Sequence, residues 1–325
     1  MSGRTTATLA TFTIAVTASL LGAAAPAGAA LVTYCVGTGG AVTVPNDLLV
    51  PTGESCSLEG TRITGNVTVQ AGANLVIAGG TISGQVQVAS NGYLDSADTS
   101  IDGQITLASG GYGAFLKNTS SGTVTLQPKG TATIDGFLFT ENATVDGNVV
   151  AGTGEVRLDQ TSEVSGNLST SGAYYTDLHD SFVDGTVSVL NNSTGSVFCG
   201  SAVRGKSTFS GNLGGVQLGP NGTLDSCASG GYFGRDVTIS NTTGGVTVDD
   251  NIIDGKLTTT NNSPVAKVAT NNRIRGGVAG EQSSAKLAAA RLSKAAATRD
   301  GTEARAEARR DDAVEEAVAA GDAGL

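Results

Sequence analysis

The sequence predicts an all-β protein: a parallel β-helix, a solenoid of about eleven coils of about 19 residues. Three observations point there. Glycines recur at a fixed interval. Apolar residues alternate with period two between them. The composition suits short stacked strands better than an ordinary globule, with 47 glycines in 325 residues, 4% aromatics and no tryptophan. Only 15% of residues are charged and hydropathy is near neutral, which excludes a disordered chain. There is no C-x-x-C, no H-E-x-x-H and no Gly-rich phosphate loop ending in Lys-Ser/Thr, so the commonest motif-bearing enzymes are excluded too.

Residues 1–30 read as a secretory leader. Arg4 supplies the positive start, an apolar stretch runs from Leu9 to Leu21, and Ala27-Gly28-Ala29 fits an A-x-A cleavage pattern. The apolar stretch is shorter than the roughly 20 residues a membrane span needs. No later segment is long and apolar enough to cross, so the mature chain is expected to be secreted, free in the extracellular space or held at the cell surface. An exported chain meets an oxidising space, and Cys35, Cys56, Cys199 and Cys227 are expected to form disulfides. Four cysteines allow three pairings. Nearness along the chain favours Cys35–Cys56 and Cys199–Cys227, but the sequence does not choose between them. No metal and no cofactor is expected, because close cysteine pairs are lacking and His179 is the single imidazole.

Residues 31–283 carry the repeat. In RITGNVTV, TISGQVQV, SIDGQITL and TSSGTVTL the glycines are Gly65, Gly84, Gly103 and Gly122, each 19 residues after the last. Gly147, Gly166, Gly185 and Gly205 continue at intervals of 19, 19 and 20. Val67/Val69 and Leu75/Ile77 alternate as strands do. A unit this short cannot bury its inner face alone, whereas stacked units bury a continuous core. Val67, Val86, Ile105 and Val124 should then form one column, and Val69, Val88, Leu107 and Leu126 another. The coil is expected to wind right-handed. Glycine at the corner is expected to admit a backbone angle that a β-carbon would oppose. A sandwich or propeller would need longer strands and longer periods. Two intervals are long, 25 residues from Gly122 to Gly147 and 30 from Gly205 to Arg235. They read as projecting insertions, one containing Phe137-Leu138-Phe139 and the other Pro220-Asn221-Gly222 and Cys227.

Residues 284–325 change character: they are rich in Ala and hold seven Lys/Arg and eight Asp/Glu. Two segments of high helix propensity flank Asp300-Gly301. Leu287, Leu292, Val314 and Val318 make a thin apolar stripe, which predicts a solvated tail, helical in part or disordered. A cap over the last coil and a partner-binding helix are the alternatives.

The motifs resemble those of a group of uncharacterised exported actinobacterial proteins. These carry a leader, an early PGxxC segment, V-x-G-N-V-x-V repeats and a closing N-x-I-x-G-x-L-x-C-x-x-N-x-P. Here the early segment is Pro51-Thr52-Gly53-Glu54-Ser55-Cys56, and the closing one runs from Asn251 through Ile253, Gly255 and Leu257 to Pro264. Thr259 and Ser283 stand where that group has cysteine, consistent with the absence of one disulfide. The resemblance implies a β-helix and no particular activity. A more distant likeness, in repeat rhythm, is to the bactofilins, which polymerise end to end.

The densest polar-aromatic cluster is Tyr174-Tyr175-Thr176-Asp177-Leu178-His179-Asp180. Tyr174 and Tyr175 offer faces for a sugar ring, Asp177 and Asp180 accept hydroxyls, and a His–Asp pair suits acid–base work. The competing reading is a turn with exposed polar residues. Asp102, Asp146, Asp184 and Asp254 precede corner glycines, where a calcium column competes with plain turn chemistry; Ser83, Ser165 and Arg204 interrupt the series. Residues 31–283 hold 11 Lys/Arg against 21 Asp/Glu, which repels nucleic acid and acidic polysaccharide. The expected function is a non-catalytic secreted β-helix acting as a structural or surface-associated binding module. Its partner would be a cell-envelope glycan or a second copy of the chain. The alternatives are a carbohydrate-active enzyme, with Asp177, His179 and Asp180 as its machinery, and a self-assembling polymer.

Overall fold

The structure is a computed structural model that describes residues 31–287 and 294–325. The expected leader lies outside the described residues. The chain winds as a parallel β-solenoid with three sheets, of 13, 13 and 12 strands. Sheet 1 starts at Val32–Tyr34, sheet 2 at Gly37–Gly39 and sheet 3 at Thr43–Val44, and each of twelve full coils contributes one strand to each sheet in turn, the last partial coil adding one to sheets 1 and 2. The rod is longer than the glycine count suggests, because the first two coils, before Arg62, lack the corner glycine.

The predicted columns are present. Val86 pairs in register with Val67 and Ile105, and Ile105 with Val124; Val88 pairs with Val69 and Leu107. All point inward and are buried. Each pair of β-branched residues one coil apart fills a layer of the core, and the backbone groups of one coil bond to the next.

The corner glycines differ from expectation in their reason. Gly84, Gly103, Gly185 and Gly205 do not adopt the left-handed backbone region. A Cβ on any of them would strike the carbonyl oxygen of the glycine one coil earlier. Gly84 N–H donates to Gly65 O at 3.1 Å, and Gly185 N–H to Gly166 O at 2.9 Å. Glycine is needed there for close approach between coils. The left-handed residues sit at another corner, where Asp98, Asn118 and Asn142 stack through their side chains at 2.9 and 2.8 Å. Asn and Asp tolerate that backbone region better than other side chains.

The first insertion ends before Phe137. Phe137–Glu141 is a regular strand of sheet 2, paired with both neighbours, so the Phe-Leu-Phe motif belongs to the rod. The second insertion spans roughly residues 219–231 and folds back over sheet 2. The cysteines pair as Cys35–Cys56 and Cys199–Cys227, with Cα separations of 5.6 and 5.4 Å.

The tail is helical, as Lys294–Ala320 (α1), and it is docked rather than solvated. Gly301 lies within the helix and does not divide it. Thr302, Ala306, Ala313 and Ala317 are buried at helical spacing. Beneath them sheet 2 presents outward-facing Tyr93, Phe137 and Phe139, also buried. Tyr112 donates to Arg305 O at 3.0 Å, Arg309 Nε to Asn74 Oδ1 at 2.7 Å and Ser55 to Glu316 at 2.6 Å. Of the expected apolar stripe, Val318 is exposed and Leu292 lies outside the described residues; the buried positions of α1 are small, and small residues let the helix lie close on aromatic rings. α1 ends at left-handed Gly321, as helices commonly do. The last residues then cross the first coil, not the last. Gly321 O accepts from Thr38 N–H and Ala323 N–H donates to Thr38 O, both at 2.8 Å, and Leu325 packs on the core.

Candidate functional site

Sheet 2 carries the chemistry. Its outward positions would normally hold small polar residues facing water, but here they hold aromatic and charged ones. From coil to coil Tyr93, Gly113, Phe137, Glu155 and Tyr175 align, and beside them Asp95, Phe115, Phe139, Arg157 and Asp177. α1 covers part of this face and the second insertion covers more.

A cavity of about 520 Å³ opens where α1, the first insertion and sheet 2 meet. That is ample for a small ligand. Tyr112 and Tyr174 line it together with Asp135, Glu155, Thr302 and Arg305. Tyr112 packs edge-on against Phe137 at 5.7 Å. Asp135 pairs with Lys129 at 2.8 Å across the insertion. Glu155 is buried against Arg157 at 3.1 Å, and the guanidinium also bonds Glu303 of α1 and lies 4.3 Å from the centre of the Phe139 ring. Burial raises the Glu155 carboxyl above its usual range, with Arg157 pulling it back only in part. Asp95 is raised by the same cause, although Tyr93 donates to it at 2.7 Å.

The residues singled out in the sequence separate into three places. Tyr174 lines the cavity. Tyr175, Asp177 and His179 alternate on the outward face of one strand, Tyr175–His179, beneath the second insertion. Asp180 is at the exposed corner in left-handed conformation, turned from His179 by the change of strand. His179 meets a different second carboxylate. Its Nε2 lies 2.9 Å from Asp177 Oδ1 and 3.1 Å from Asp225 Oδ2. Asp225 comes from the second insertion and was not singled out, nor were Glu155, Arg157 and Tyr112. The signal available for those three was an aromatic or charged residue at an outward position of a repeat. For Asp225 there was only its closeness to Cys227. Asp177, His179 and Asp225 form the one cluster of three or more metal-capable groups among the described residues. The acidic corner residues do not gather; Asp184 pairs with Arg204 at 2.8 Å and Asp254 with Arg275. Among the described residues no helix is long and apolar enough to cross a membrane. Comparison with known protein families, with curated proteins and with solved structures found no match.

Proposed function

We propose that this chain is an exported, non-catalytic β-helix that serves as a surface-associated binding module and takes a saccharide unit in the cavity beside α1. The observation that carries this is the cavity itself. It sets two tyrosines against carboxylates and a guanidinium, the combination that covers the apolar face of a sugar ring while bonding its hydroxyls. The acidic surface disfavours anionic glycans, so the ligand is a neutral glycan of the cell envelope. Two disulfides and the leader-like residues 1–30 support export. Asp135 and Glu155 each hold a cation already, which suits hydroxyl recognition better than proton transfer. A neutral-glycan array followed by calorimetry tests the reading. Binding is expected, at least tenfold weaker in Tyr174→Ala and Tyr112→Ala; a chain that binds no neutral glycan overturns it.

One observation favours a second reading, a carbohydrate-active enzyme. A buried carboxyl raised as Glu155 is could serve as a proton donor. Release of reducing ends by the wild type, lost in Glu155→Gln, would establish it over the first. End-to-end assembly finds less support, because the chain's own C-terminal residues occupy the first coil.

A further inference from the structure

The outward column of sheet 3 changes character halfway along the rod. In the first six coils it reads Thr43, Arg62, Thr81, Ser100, Ser120 and Thr144, mostly small hydroxyls. In the last six it reads Glu163, Phe182, Ala202, Tyr232, Ile252 and Arg273, each the register partner of the next. Phe182, Tyr232 and Ile252 are 47%, 38% and 40% exposed. Among the described residues no other large apolar side chain on a strand of sheet 3 is exposed. α1 and the second insertion lie on sheet 2, so neither covers this column. A contiguous exposed apolar run rimmed by charge marks an interaction surface.

The order within the column identifies the partner as a second copy of the chain. Its two ends carry opposite charge, each end has a large apolar residue inside it, and the centre sets one small residue beside one large one. A two-fold axis along the strand direction, placed between Ala202 and Tyr232, makes the column face its own reverse. Glu163 then meets Arg273 of the other copy, Phe182 meets Ile252, and Tyr232 meets Ala202. The Tyr232 ring leans toward the last coil, where its hydroxyl donates to Asp254 Oδ2 at 2.8 Å, and this leaves the space over Ala202 open. A bulky side chain is thus matched to a gap at both sides of the axis.

The flanking charges permit the approach. The chain as a whole carries −10, yet the two outward rows of these six strands are balanced, with Glu163, Asp184 and Asp254 against Arg204, Arg273 and Arg275. Asp184 is bonded to Arg204 at 2.8 Å and Asp254 to Arg275. In the paired rods Asp184 faces Asp254 of the other copy, and each brings its own guanidinium to the contact. This face therefore adds little repulsion between two acidic molecules. A surface two rows wide and about 29 Å long is smaller than a standard interface, so the pair is weak and its population rises with concentration.

We infer that the last six coils pair antiparallel with those of a second copy through the outward column of sheet 3, forming a closed two-fold dimer. An isologous contact uses the column up on both copies, so association by this face stops at two. The pairing does not rest on the glycan reading, since the cavity opens on sheet 2, a different wall of the rod.

Sedimentation velocity on the full disulfide-bonded chain, from low to high micromolar concentration, tests this. The weight-average mass is expected to rise from one chain toward two and to stop there. Phe182→Ser and Ala202→Arg should each weaken the pair at least about tenfold while circular dichroism stays β-rich. Glu163→Arg and Arg273→Glu should each weaken it at least about threefold, and the two together should return it to within about twofold of the wild type. Ser100→Arg, in the same column but outside the overlap, should leave it unchanged. A single chain at every concentration overturns the pair, and growth beyond two overturns its closure. Unchanged affinity in both single charge reversals, no recovery in the double reversal, or equal weakening by Ser100→Arg overturns the antiparallel register.

Discussion

At the scale of single residues, Arg157 is the most consequential. It is buried with Glu155, reaches Glu303 on α1 and lies over Phe139, so three elements meet on one guanidinium. Removing one partner of a buried ion pair leaves the other charge without compensation, at about 3–5 kcal/mol. Arg157→Met should therefore cost about that much in urea unfolding, and Arg157→Met combined with Glu155→Leu should recover a good part of it. The titration of this seam has a definite sign. Asp95 and Glu155 are both raised by burial above ordinary values of 3.8 and 4.5. The folded chain then holds more protons than the unfolded one, so stability falls as pH rises. The contribution is fully present below the ordinary values and is lost as pH climbs through the raised ones. Melting temperature should be higher near about pH 5 than near about pH 8, and Asp95→Asn with Glu155→Gln should flatten the difference. A slope unaffected by those two substitutions would place its origin elsewhere.

At the scale of elements, α1 and the solenoid match because their repeats nearly agree. Coils stack about 4.8 Å apart and a helix rises about 1.5 Å per residue, so each coil spans about 3.2 helical residues, close to one turn. Glu303 meets the coil of Arg157 and Gly321 meets that of Thr38, six coil steps away along sheet 2. Eighteen helical residues cover about 27 Å, and six coils about 29 Å. Gly301 is the weak point of the helix: a Cβ there meets nothing within 4 Å and its backbone is not left-handed. Gly301→Ala should stabilise α1 by roughly 0.5–1 kcal/mol, read as slower amide exchange across the helix. Ala306 is the opposite case, fully buried against Tyr93 and Phe137, and Ala306→Leu should cost roughly 1–3 kcal/mol. This docking was not legible in the sequence, for a physical reason. A search for large apolar residues finds Val314 and Val318, whereas the helix uses alanine and leaves Val318 exposed. The complementary surface is scattered one or two aromatics per coil, Tyr93, then Tyr112 with Phe115, then Phe137 with Phe139, and only stacking gathers it. The core columns were legible, because Val86 and Ile105 repeat at the coil period. Gly84 was legible as a fixed corner but not as a point of contact between coils, since its partner, the Gly65 carbonyl, is backbone and leaves no residue pattern of its own. Of the site, the strand holding Asp177 and His179 was visible; Asp225 was not, because a loop closure brought it there.

At the scale of the whole molecule, a solenoid has the problem of its ends and of any face too apolar for water. A first coil carries unpaired backbone groups on one edge, which template the addition of another chain. This chain meets the apolar face and part of the first edge with one segment. α1 shields the aromatic face of sheet 2, and residues 321–325 cap the first strand of that sheet by bonding Thr38 N–H and O and setting Leu325 on the core. Because these are separate contacts, they can be removed separately. Deleting residues 321–325 should open only the edge, and light scattering should then show end-to-end association that grows with concentration while α1 stays docked. Deleting 294–325 should also expose Tyr93, Phe137 and Phe139, and association should then include face-to-face contacts, with binding of a hydrophobic dye. The full chain should grow no further than a pair in the same buffer. The order matters. If the shorter deletion already behaves like the longer one, the first-coil edge governs solubility and α1 serves mainly to deliver the cap. If the shorter deletion behaves like the full chain and only the longer one associates further, the aromatic face is the hazard that the helix covers. No growth beyond a pair in either case would show that neither contact guards against assembly, and α1 would then owe its place to the cavity that it helps to wall.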